Sequence, residues 1–483
     1  MNYTSVIRFL GALCVFLGAT MILPLAWAIG LHEDRAIYGL VISIGFCLLF
    51  GGTLFFAGHR EHDGLHRKEG FAVVGLGWIL AALVGALPYI LSGAIHDPIN
   101  AVFETMSGFT TTGSSILDNV ESLPRSILFW RDFTHWLGGM GIIVLFIAVL
   151  PHLGVGARYL FRSEIPGAVK DAVTPRVKDT ARFLYLAYSL LTAVEILLLR
   201  IAGMNWLESC CHTFGTMATG GFSTRQASVG DFHSVWIEAI IIVFMVLAGT
   251  NFALYRPFVR RQPGVLFGDR EWRAYVGMLG LVSALIALDL IFGHQGLSIG
   301  RGIRESVFQV VSIATTTGFV TTDFDQWSSF AKMILFTLMF IGGCSGSTAG
   351  AMKVMRVVVL IKFGWAAVHK IFRPHAVTSM RLGNQVLNDE IVNEILAFFV
   401  LFLGIFLISS LILAVMGLDL ISSFSAVAAN LGNVGPGLGS VGASETYSAL
   451  PALGKILLTV CMLLGRLEIY TILVLFSPVF WRR

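Results

Sequence analysis

Apolar runs of about 20 residues, the length that crosses the hydrocarbon core of a bilayer as a helix, recur from one end of this 483-residue chain to the other. Short polar connections separate them. With 56% hydrophobic and only 13% charged residues, the chain has too little polar surface for a soluble protein of this length. The sequence therefore predicts an all-α, polytopic membrane protein without a large soluble domain.

The apolar runs form an N-terminal hairpin followed by four copies of one unit. Each unit contains a long apolar helix, a short semi-polar helix that ends in a glycine-containing loop, and a second long helix. We assign the hairpin to residues 1–69 and the units to residues 70–182, 183–273, 274–390 and 391–483. This arrangement predicts ten spanning helices, with four parallel repeats around a pseudo-fourfold axis.

Positive charge clusters in the connections that follow the hairpin and the units. The clusters lie at 59–70, 158–182, 256–273 and 353–381, and at Arg482 and Arg483. Connections rich in Lys and Arg stay on the cytoplasmic side of a membrane. Both termini are therefore expected in the cytoplasm, and the four glycine-containing loops are expected to enter from the outer face.

The four glycine-containing loops align with one another. They read FETMSGFTTTGSS (103–115), CHTFGTMATGGFST (211–224), FQVVSIATTTGFVTT (308–322) and SAVAANLGNVGPGLG (425–439). The alignment superimposes Gly113, Gly221, Gly318 and Gly435. Non-helical backbone survives at membrane depth only where it is buried in protein or lines a hydrated path.

A ring of such loops can replace the water shell of a cation with backbone carbonyl oxygens. Glycine permits the backbone angles that turn carbonyls inward, and each short helix points its negative C-terminal end at the axis. The absence of acids from the aligned positions favours a monovalent cation over calcium. The candidate filter residues, three in each loop, are Thr111, Thr112, Gly113, Thr219, Gly220, Gly221, Thr316, Thr317, Gly318, Asn433, Val434 and Gly435.

Two alternatives accompany this interpretation. In the first alternative, the small residues do not form a filter and only allow helices to pack closely. Four aligned copies on one side of the membrane favour the filter over this alternative. Glu104, in the first short helix, either attracts cations or accepts hydrogen bonds from neighbouring loops, and we favour the second role. Asn433, Val434 and Pro436 depart from the other three loops, so we expect an asymmetric ring with less complete coordination.

The second helix of the third unit contains a glycine-rich stretch, GGCSGSTAGAMK (342–353). Each glycine costs a helix about 1 kcal/mol relative to alanine, and Ser and Thr hydroxyls compete for backbone hydrogen bonds. We predict a broken helix with a mobile gate loop rather than a continuous helix with a GxxxG packing face. The candidate gate residues are Gly342, Gly343, Gly346, Ser347, Thr348, Gly350 and Arg466.

Arg466 lies in the last apolar helix, where a charged side chain is costly and usually faces a polar interior. Glu468 points in a different direction from Arg466 on a helix, so we expect a partner in another unit. Two roles remain open. The guanidinium either raises a barrier to cations below the filter or forms a buried ion pair.

Together these features resemble the Trk/Ktr/HKT superfamily of potassium transporters, and most closely its TrkH family. The resemblance spans nearly the whole chain and includes the aligned glycines, WLGGMGIIVLFIAVLP (136–151), the glycine-rich stretch and LLGRLEIY (463–470). It implies potassium uptake across a bacterial inner membrane, with K⁺ bound at the filter residues and an intramembrane loop as the gate. It also implies a homodimer with one ion path per subunit and a cytosolic, TrkA-like ring of nucleotide-binding domains as regulatory partner. No cofactor is expected within this chain.

Two other classes of function fit less well. A transporter of organic solutes commonly has inverted repeats and a side-chain pocket, and an intramembrane enzyme needs a nucleophile with a base or a metal motif such as HExxH. Neither pattern is visible in the sequence. Passive conduction and symport with protons or sodium are both compatible with these residues.

Overall fold

The computed structural model describes residues 2–58, 67–149, 175–259, 262, 264–293, 295–372, 381–382, 385–386 and 389–481. These residues are helical apart from loops, short 3-10 turns and one antiparallel pair of two-residue strands, β1 (Arg381–Leu382) and β2 (Gln385–Val386). The all-helical prediction is confirmed for the membrane part. Most of the basic connections at 59–70 and 158–182, and the terminal arginines, lie outside the described residues.

The N-terminal hairpin consists of α1 (Tyr3–Thr20), α2 (Ile22–Gly30) and α3 (Asp34–Ala57). α2 begins directly after α1, and Pro24 lacks the N–H that would continue the hydrogen-bond ladder through the junction. α1 and α3 approach closely at Gly11 and Gly51, where an added Cβ would lie within 3 Å of the facing backbone. The small residues thus allow the two helices to pack against each other.

The first unit contains α4 (Arg67–Gly85), α5 (Leu87–Ser92), α6 (Pro98–Phe109) and α7 (Arg125–Val149). Glu33, in the hairpin's return turn, accepts hydrogen bonds from the backbone N–H groups of Arg125 and Ser126 at 2.7 and 3.0 Å. A carboxylate at a helix N-terminus satisfies otherwise unpaired donors and favours the helix dipole. This contact fixes the hairpin to the first unit.

The remaining units repeat the pattern. The second contains α8 (Pro175–Ile201), α9 (Trp206–Ala218), α10 (Val235–Ala248) and α11 (Tyr255–Val259), followed by α12 (Gly264–Gly268). The third contains α13 (Arg270–Phe292), α14 (Ile299–Ala314), α15 (Ser329–Leu338) and α16 (Val354–Phe372). The fourth contains α17 (Asp389–Val415), α18 (Leu420–Leu431), α19 (Ala452–Arg466), α20 (Tyr470–Leu473) and α21 (Pro478–Trp481).

The short helices α6, α9, α14 and α18, here called the pore helices, form the centre of the molecule. Three of them begin at an Asx cap: Asp97, Asn205 and Asp419 accept hydrogen bonds from the first-turn backbone of α6, α9 and α18. Their C-terminal halves are buried on every side, and such helices occupy a core rather than a surface. All four C-terminal ends therefore lie inside protein.

Six of the described helical segments are long and apolar enough to span a membrane. Two bent pairs raise that number to eight, by length and composition alone: Val235–Ala248 with Phe252–Phe258, bent by 94°, and Ala452–Arg466 with Tyr470–Phe476, bent by 112°. The sequence analysis did not predict these bends. Large apolar side chains such as Phe56, Ile201 and Val415 are exposed on the outside, as expected of a surface that faces lipid.

Candidate functional site

Each pore helix ends in the same backbone turn. The last residue of the turn donates its N–H to a carbonyl five residues earlier, at 2.7–2.9 Å, and the residue before it has a positive φ. This pattern is the Schellman-type end of a helix, which usually needs glycine or asparagine in the left-handed position. Here the left-handed residues are Thr111, Thr219, Thr316 and Asn433, with φ of 52°, 56°, 57° and 53°.

The aligned glycines follow two residues after the left-handed positions, and they also have positive φ: 84° at Gly113, 78° at Gly221, 79° at Gly318 and 101° at Gly435. A side chain at these positions would be strained. It would also collide with a neighbour, because each glycine faces a carbonyl oxygen of the next unit. Both backbone angle and space therefore require glycine.

The order of these glycine contacts closes a ring. Gly113 faces the carbonyl of Gly220, Gly221 that of Thr317, and Gly318 that of Val434. Gly435 completes the circle, since its Cβ would lie 2.7 Å from the carbonyl oxygen of Thr112. All of the predicted filter residues lie in this ring, and the side chains of its threonines, Asn433 and Val434 are buried.

The connections that follow the ring loops form a second closed circle on one side of the ring. Hydrogen bonds join each neighbouring pair of units: Val120 N to Gln226 Oε1, Gly230 N to Val320 O, Gly439 N to Asp325 Oδ2 and Tyr447 N to Ser115 O, at 2.9–3.2 Å. Burial raises the pKa of the Asp325 carboxyl, and the N–H of Gly439 acts in the opposite direction. The four units are thus also joined beyond the ring itself.

The fourth loop has the backbone of the other three but different side-chain contacts. Asn433 Nδ2 donates to Thr112 Oγ1 at 2.9 Å and to the carbonyl of Met462 at 3.0 Å. The Gly435 carbonyl accepts a hydrogen bond from the Tyr447 hydroxyl at 2.9 Å, and Ser114 Oγ, 3.1 Å away, lies closer to its other acceptor, Asn430 Oδ1, at 2.9 Å. The ring is therefore asymmetric in its side chains, although the backbone turn is the same in all four loops.

Side chains of the pore helices hold the return arm of each loop. The contacts are Glu104 Oε2 with Ile116 N at 2.9 Å, His212 Nε2 with Ser223 Oγ at 2.9 Å, Gln309 Nε2 with Thr321 Oγ1 at 3.2 Å, and Ser425 Oγ with the Leu438 carbonyl at 2.9 Å. The first three belong to equivalent positions of the repeats. Different residue types therefore perform the same structural task in different units.

Glu104 also pairs with Arg131 on α7, at 2.7 Å between Oε1 and Nε. Arg131 donates from Nη1 to the carbonyl of Ser223 at 3.1 Å, and its guanidinium lies 3.5 Å from the centre of the Phe222 ring. Both charged groups are buried. Glu104 thus supports its own loop and, through Arg131, that of the second unit, which favours the structural role over direct attraction of cations.

The second helix of the third unit is broken, as the glycine pattern predicts. α15 ends at Leu338, α16 begins at Val354, and residues 339–353, here called the gate loop, are not helical. All of the predicted gate residues except Arg466 lie in this loop. Gly346 has φ of 75°, which a non-glycine residue would adopt only with strain.

The gate loop lies directly against three of the four ring loops, at the ends of their pore helices. Gly350 N donates to Thr316 Oγ1 at 2.7 Å, and Thr348 Oγ1 donates to the carbonyl of Met217 at 3.1 Å. A Cβ on Gly350 would lie 2.5 Å from the carbonyl oxygen of Gly432. The loop thus packs under the second, third and fourth units.

Two further anchors of the gate loop were not predicted. Glu271, in the first turn of α13, accepts from Ser345 N at 2.7 Å and from Met355 N at 3.1 Å through the same oxygen. At the bend after α10, the Gly249 carbonyl accepts from Cys344 N at 2.9 Å. In the sequence, the only sign that Glu271 has a role was the presence of an acid at the start of an apolar helix.

Arg466 connects the gate loop to the first unit. Its Nη1 donates to the Thr348 carbonyl at 2.7 Å and its Nη2 to the Gly138 carbonyl on α7 at 3.2 Å. The side chain is buried, and these contacts lie in other units, as expected from the sequence. Glu468 instead forms an ion pair with Arg356 on α16.

A family model described as "TrkH: Cation transport protein" matches residues 39–288 and 289–483. The chain belongs to the TrkH family. The Trk system potassium uptake proteins TrkH of Halomonas elongata and Escherichia coli K12 are each 39% identical to it, with 100% of both chains covered. The crystal structure of the potassium transporter TrkH from Vibrio parahaemolyticus matches with a TM-score of 0.90 at 36% identity, again over 100% of both chains. This is a family of transporters, not enzymes.

The Glu104–Arg131 pair provides a test of the interlocked ring. Arg131→Gln leaves a buried carboxylate without its cation, which typically costs about 3–5 kcal/mol, so the midpoint of thermal unfolding in detergent should fall sharply. Adding Glu104→Gln should recover part of the loss, because the unpaired charge is removed. Asp231→Asn, which breaks a pair with Arg225 in which both side chains are 39% exposed, is the control and should have little effect. Equal losses for Arg131→Gln and Asp231→Asn would contradict the assignment.

Proposed function

We propose that this protein takes up potassium ions across the inner membrane of a bacterium, through the ring formed by its four glycine loops. The closed circle of backbone contacts within one chain carries the proposal, because it places irregular backbone from four units around one axis. Irregular backbone at membrane depth needs a hydrated path or protein around it. The named relatives, which are potassium uptake proteins, support potassium as the ion.

In this proposal the ring acts as the selectivity filter. The carbonyls of Thr112, Gly220, Thr317 and Val434 form one layer of oxygens that replaces the ion's hydration shell. In the proposed layer, the hydroxyl groups of Thr111, Thr219 and Thr316 contribute further oxygens. In the fourth unit, Asn433 occupies the position equivalent to these threonines. Since the Gly435 carbonyl already accepts a protein hydrogen bond from Tyr447, coordination by the fourth loop is less complete, and discrimination against sodium is weaker than in a ring of identical loops.

The proposed topology has ten spans. α7 and the broken pair α15–α16 add two spans to the eight segments that qualify by length and composition. The hairpin and the four parallel units then each cross the membrane an even number of times. Both termini lie in the cytoplasm, and all four loops enter from outside, in agreement with the basic connections.

The gate loop and Arg466 together close the inner side of this path. The loop lies under the filter, and the guanidinium of Arg466 adds positive charge beside the Thr348 carbonyl. A buried positive charge repels a cation at short range in a low-dielectric environment. Opening therefore requires the loop to leave its contacts with Thr316 and Arg466.

A cytosolic, TrkA-like ring of nucleotide-binding domains is the proposed regulator, and two copies of this chain form a homodimer with one ion path in each. α16 continues directly from the gate loop. A partner that displaces the cytoplasmic part of α16 would therefore pull on the loop. The relatives' description as parts of a Trk system agrees with an accessory component.

Replacing a filter glycine tests the filter. Gly318→Ala introduces a Cβ that collides with the carbonyl of Val434 at a position with φ of 79°. Rubidium uptake into liposomes containing the purified protein should be inhibited by potassium more strongly than by sodium, and Gly318→Ala should remove this difference. Gly45→Ala on α3, where an added Cβ meets nothing within 4 Å, is the matched control. Unchanged selectivity in Gly318→Ala would refute the filter.

Shortening the gate loop tests the gate. Deletion of residues 346–349 removes the Thr348 contacts, so rubidium flux should rise in the absence of any cytosolic partner. Arg466→Ala should also raise flux, whereas Arg466→Lys retains the charge and should raise it less. Folded protein with unchanged flux would argue against a gate. Loss of folded protein in both Arg466 variants would indicate a purely structural role for this residue.

A further inference from the structure

Glu195 on α8 differs from the other buried glutamates around the pore helices. Its side chain is fully buried, and neither carboxyl oxygen has a hydrogen-bond donor within the part of the chain that the structure describes. By contrast, Glu104 and Glu238 pair with arginines, and Glu271 accepts backbone N–H groups. A buried carboxylate without a cation or donors is costly, particularly within a membrane.

Thr216, in the last turn of the second pore helix, is a neighbour of the Glu195 carboxyl, and the structure has no hydrogen bond between the two groups. A hydroxyl has one hydrogen to donate. Thr216 Oγ1 already donates to the carbonyl of His212, at 2.9 Å. Thr216 can therefore accept a hydrogen bond from Glu195 but cannot donate one, and only a protonated carboxyl provides the hydrogen.

The helix itself also disfavours a negative charge at this position. Thr216 belongs to the C-terminal turn of α9, where unpaired carbonyl groups make the helix end negative. The Thr216 carbonyl accepts the N–H of Thr219 at 3.0 Å, the contact that begins the second ring loop. A carboxylate here would repel the carbonyl groups at the end of α9, and these groups position the second ring loop.

Most titratable and charged groups around Glu195 are bound to other partners. Tyr188, on the same helix, donates to the Trp136 carbonyl at 3.4 Å, and Arg466 beyond it binds the carbonyls of Thr348 and Gly138. The Asp132 carboxyl on α7, like that of Glu195, has no hydrogen-bond partner among the described residues. The other such groups on the elements packed against α8 are Arg125, Arg131 and His135 on α7, Glu208, Cys210, Cys211 and His212 on α9, and Glu238 on α10.

The two histidines supply no charge to Glu195. His135 contacts the Gly108 carbonyl through Nδ1 and accepts from Phe222 N through Nε2, which is the pattern of a neutral ring. His212 lies between the Glu208 carbonyl and Ser223 Oγ. Arg131 is paired with Glu104, and Glu238 with Arg304.

The geometry points to a proton-binding site at Glu195, behind the second loop of the ring, that makes the ring sensitive to pH. With its proton, Glu195 becomes a donor that the neighbouring Thr216 hydroxyl can accept, which supports the end of α9. Without it, a carboxylate faces the negative helix end and loosens the start of the second loop. The support is therefore present at low pH, where the carboxyl carries its proton, and is lost as pH rises and the proton leaves. The effect on ion flux rests on the proposed function, but proton binding does not.

Infrared spectroscopy of the full-length protein in liposomes, titrated with pH, tests proton binding directly. A protonated carboxyl absorbs separately from a carboxylate. We expect one protonated-carboxyl band of the wild-type protein to be missing in Glu195→Gln and retained in Glu390→Gln, the control at an exposed acid. Thr216→Val keeps the carboxyl but removes its acceptor, so the band should persist and disappear at a lower pH.

Rubidium uptake by the same liposomes tests the consequence. Flux through the wild-type protein and Glu390→Gln should fall as pH rises through the titration of the band, whereas Glu195→Gln, which remains neutral, should lose this pH dependence. Absence of a band that depends on Glu195 would overturn the site, and so would a band accompanied by identical pH profiles in all three proteins. If the band titrates as expected but none of the proteins conducts at any pH, proton binding stands and the proposed potassium path fails.

Discussion

Backbone carbonyl groups that leave a helix inside a membrane find no water in the surrounding lipid, so protein or a hydrated path must satisfy them. The four ring loops leave their helices at equivalent positions with the same left-handed turn. Burial of the C-terminal halves of the pore helices keeps these turns away from lipid. The closed order of contacts between glycines and neighbouring carbonyls then makes each loop depend on the next.

The backbone is nearly fourfold, whereas the side chains that support it are specific to each unit. A carboxylate, an imidazole and an amide hold the return arms at three equivalent positions, through Glu104, His212 and Gln309. A single chain can vary these supports independently, which four identical subunits cannot do. Because the units can differ, Arg466 lies in the fourth unit and the gate loop in the third. Together, the contacts of Arg466 and the gate loop involve all four units.

The sequence revealed those features that depend on local backbone chemistry. Aligned glycines identified the loops, and the glycine-rich stretch at 342–353 indicated the broken helix, because both depend on conformations that few residues adopt. The bend after α19 lacked such a signal, since it occurs at Glu468 and Ile469, with φ of 53° and 54° and no glycine or proline. The contacts of Glu271 with the gate loop and of Arg131 with Glu104 and Ser223 could not be predicted. They depend on which helices pack together, and the periodicity within one helix does not contain that information.

The central claim is that one cation path passes through the ring of glycine loops. Crystals of the protein grown with rubidium in place of potassium would test it through the anomalous scattering of the ion. The account predicts anomalous density on the ring axis, among the carbonyl oxygens of Thr112, Gly220, Thr317 and Val434. Well-ordered rubidium elsewhere in the membrane region, with none inside the ring, would contradict it.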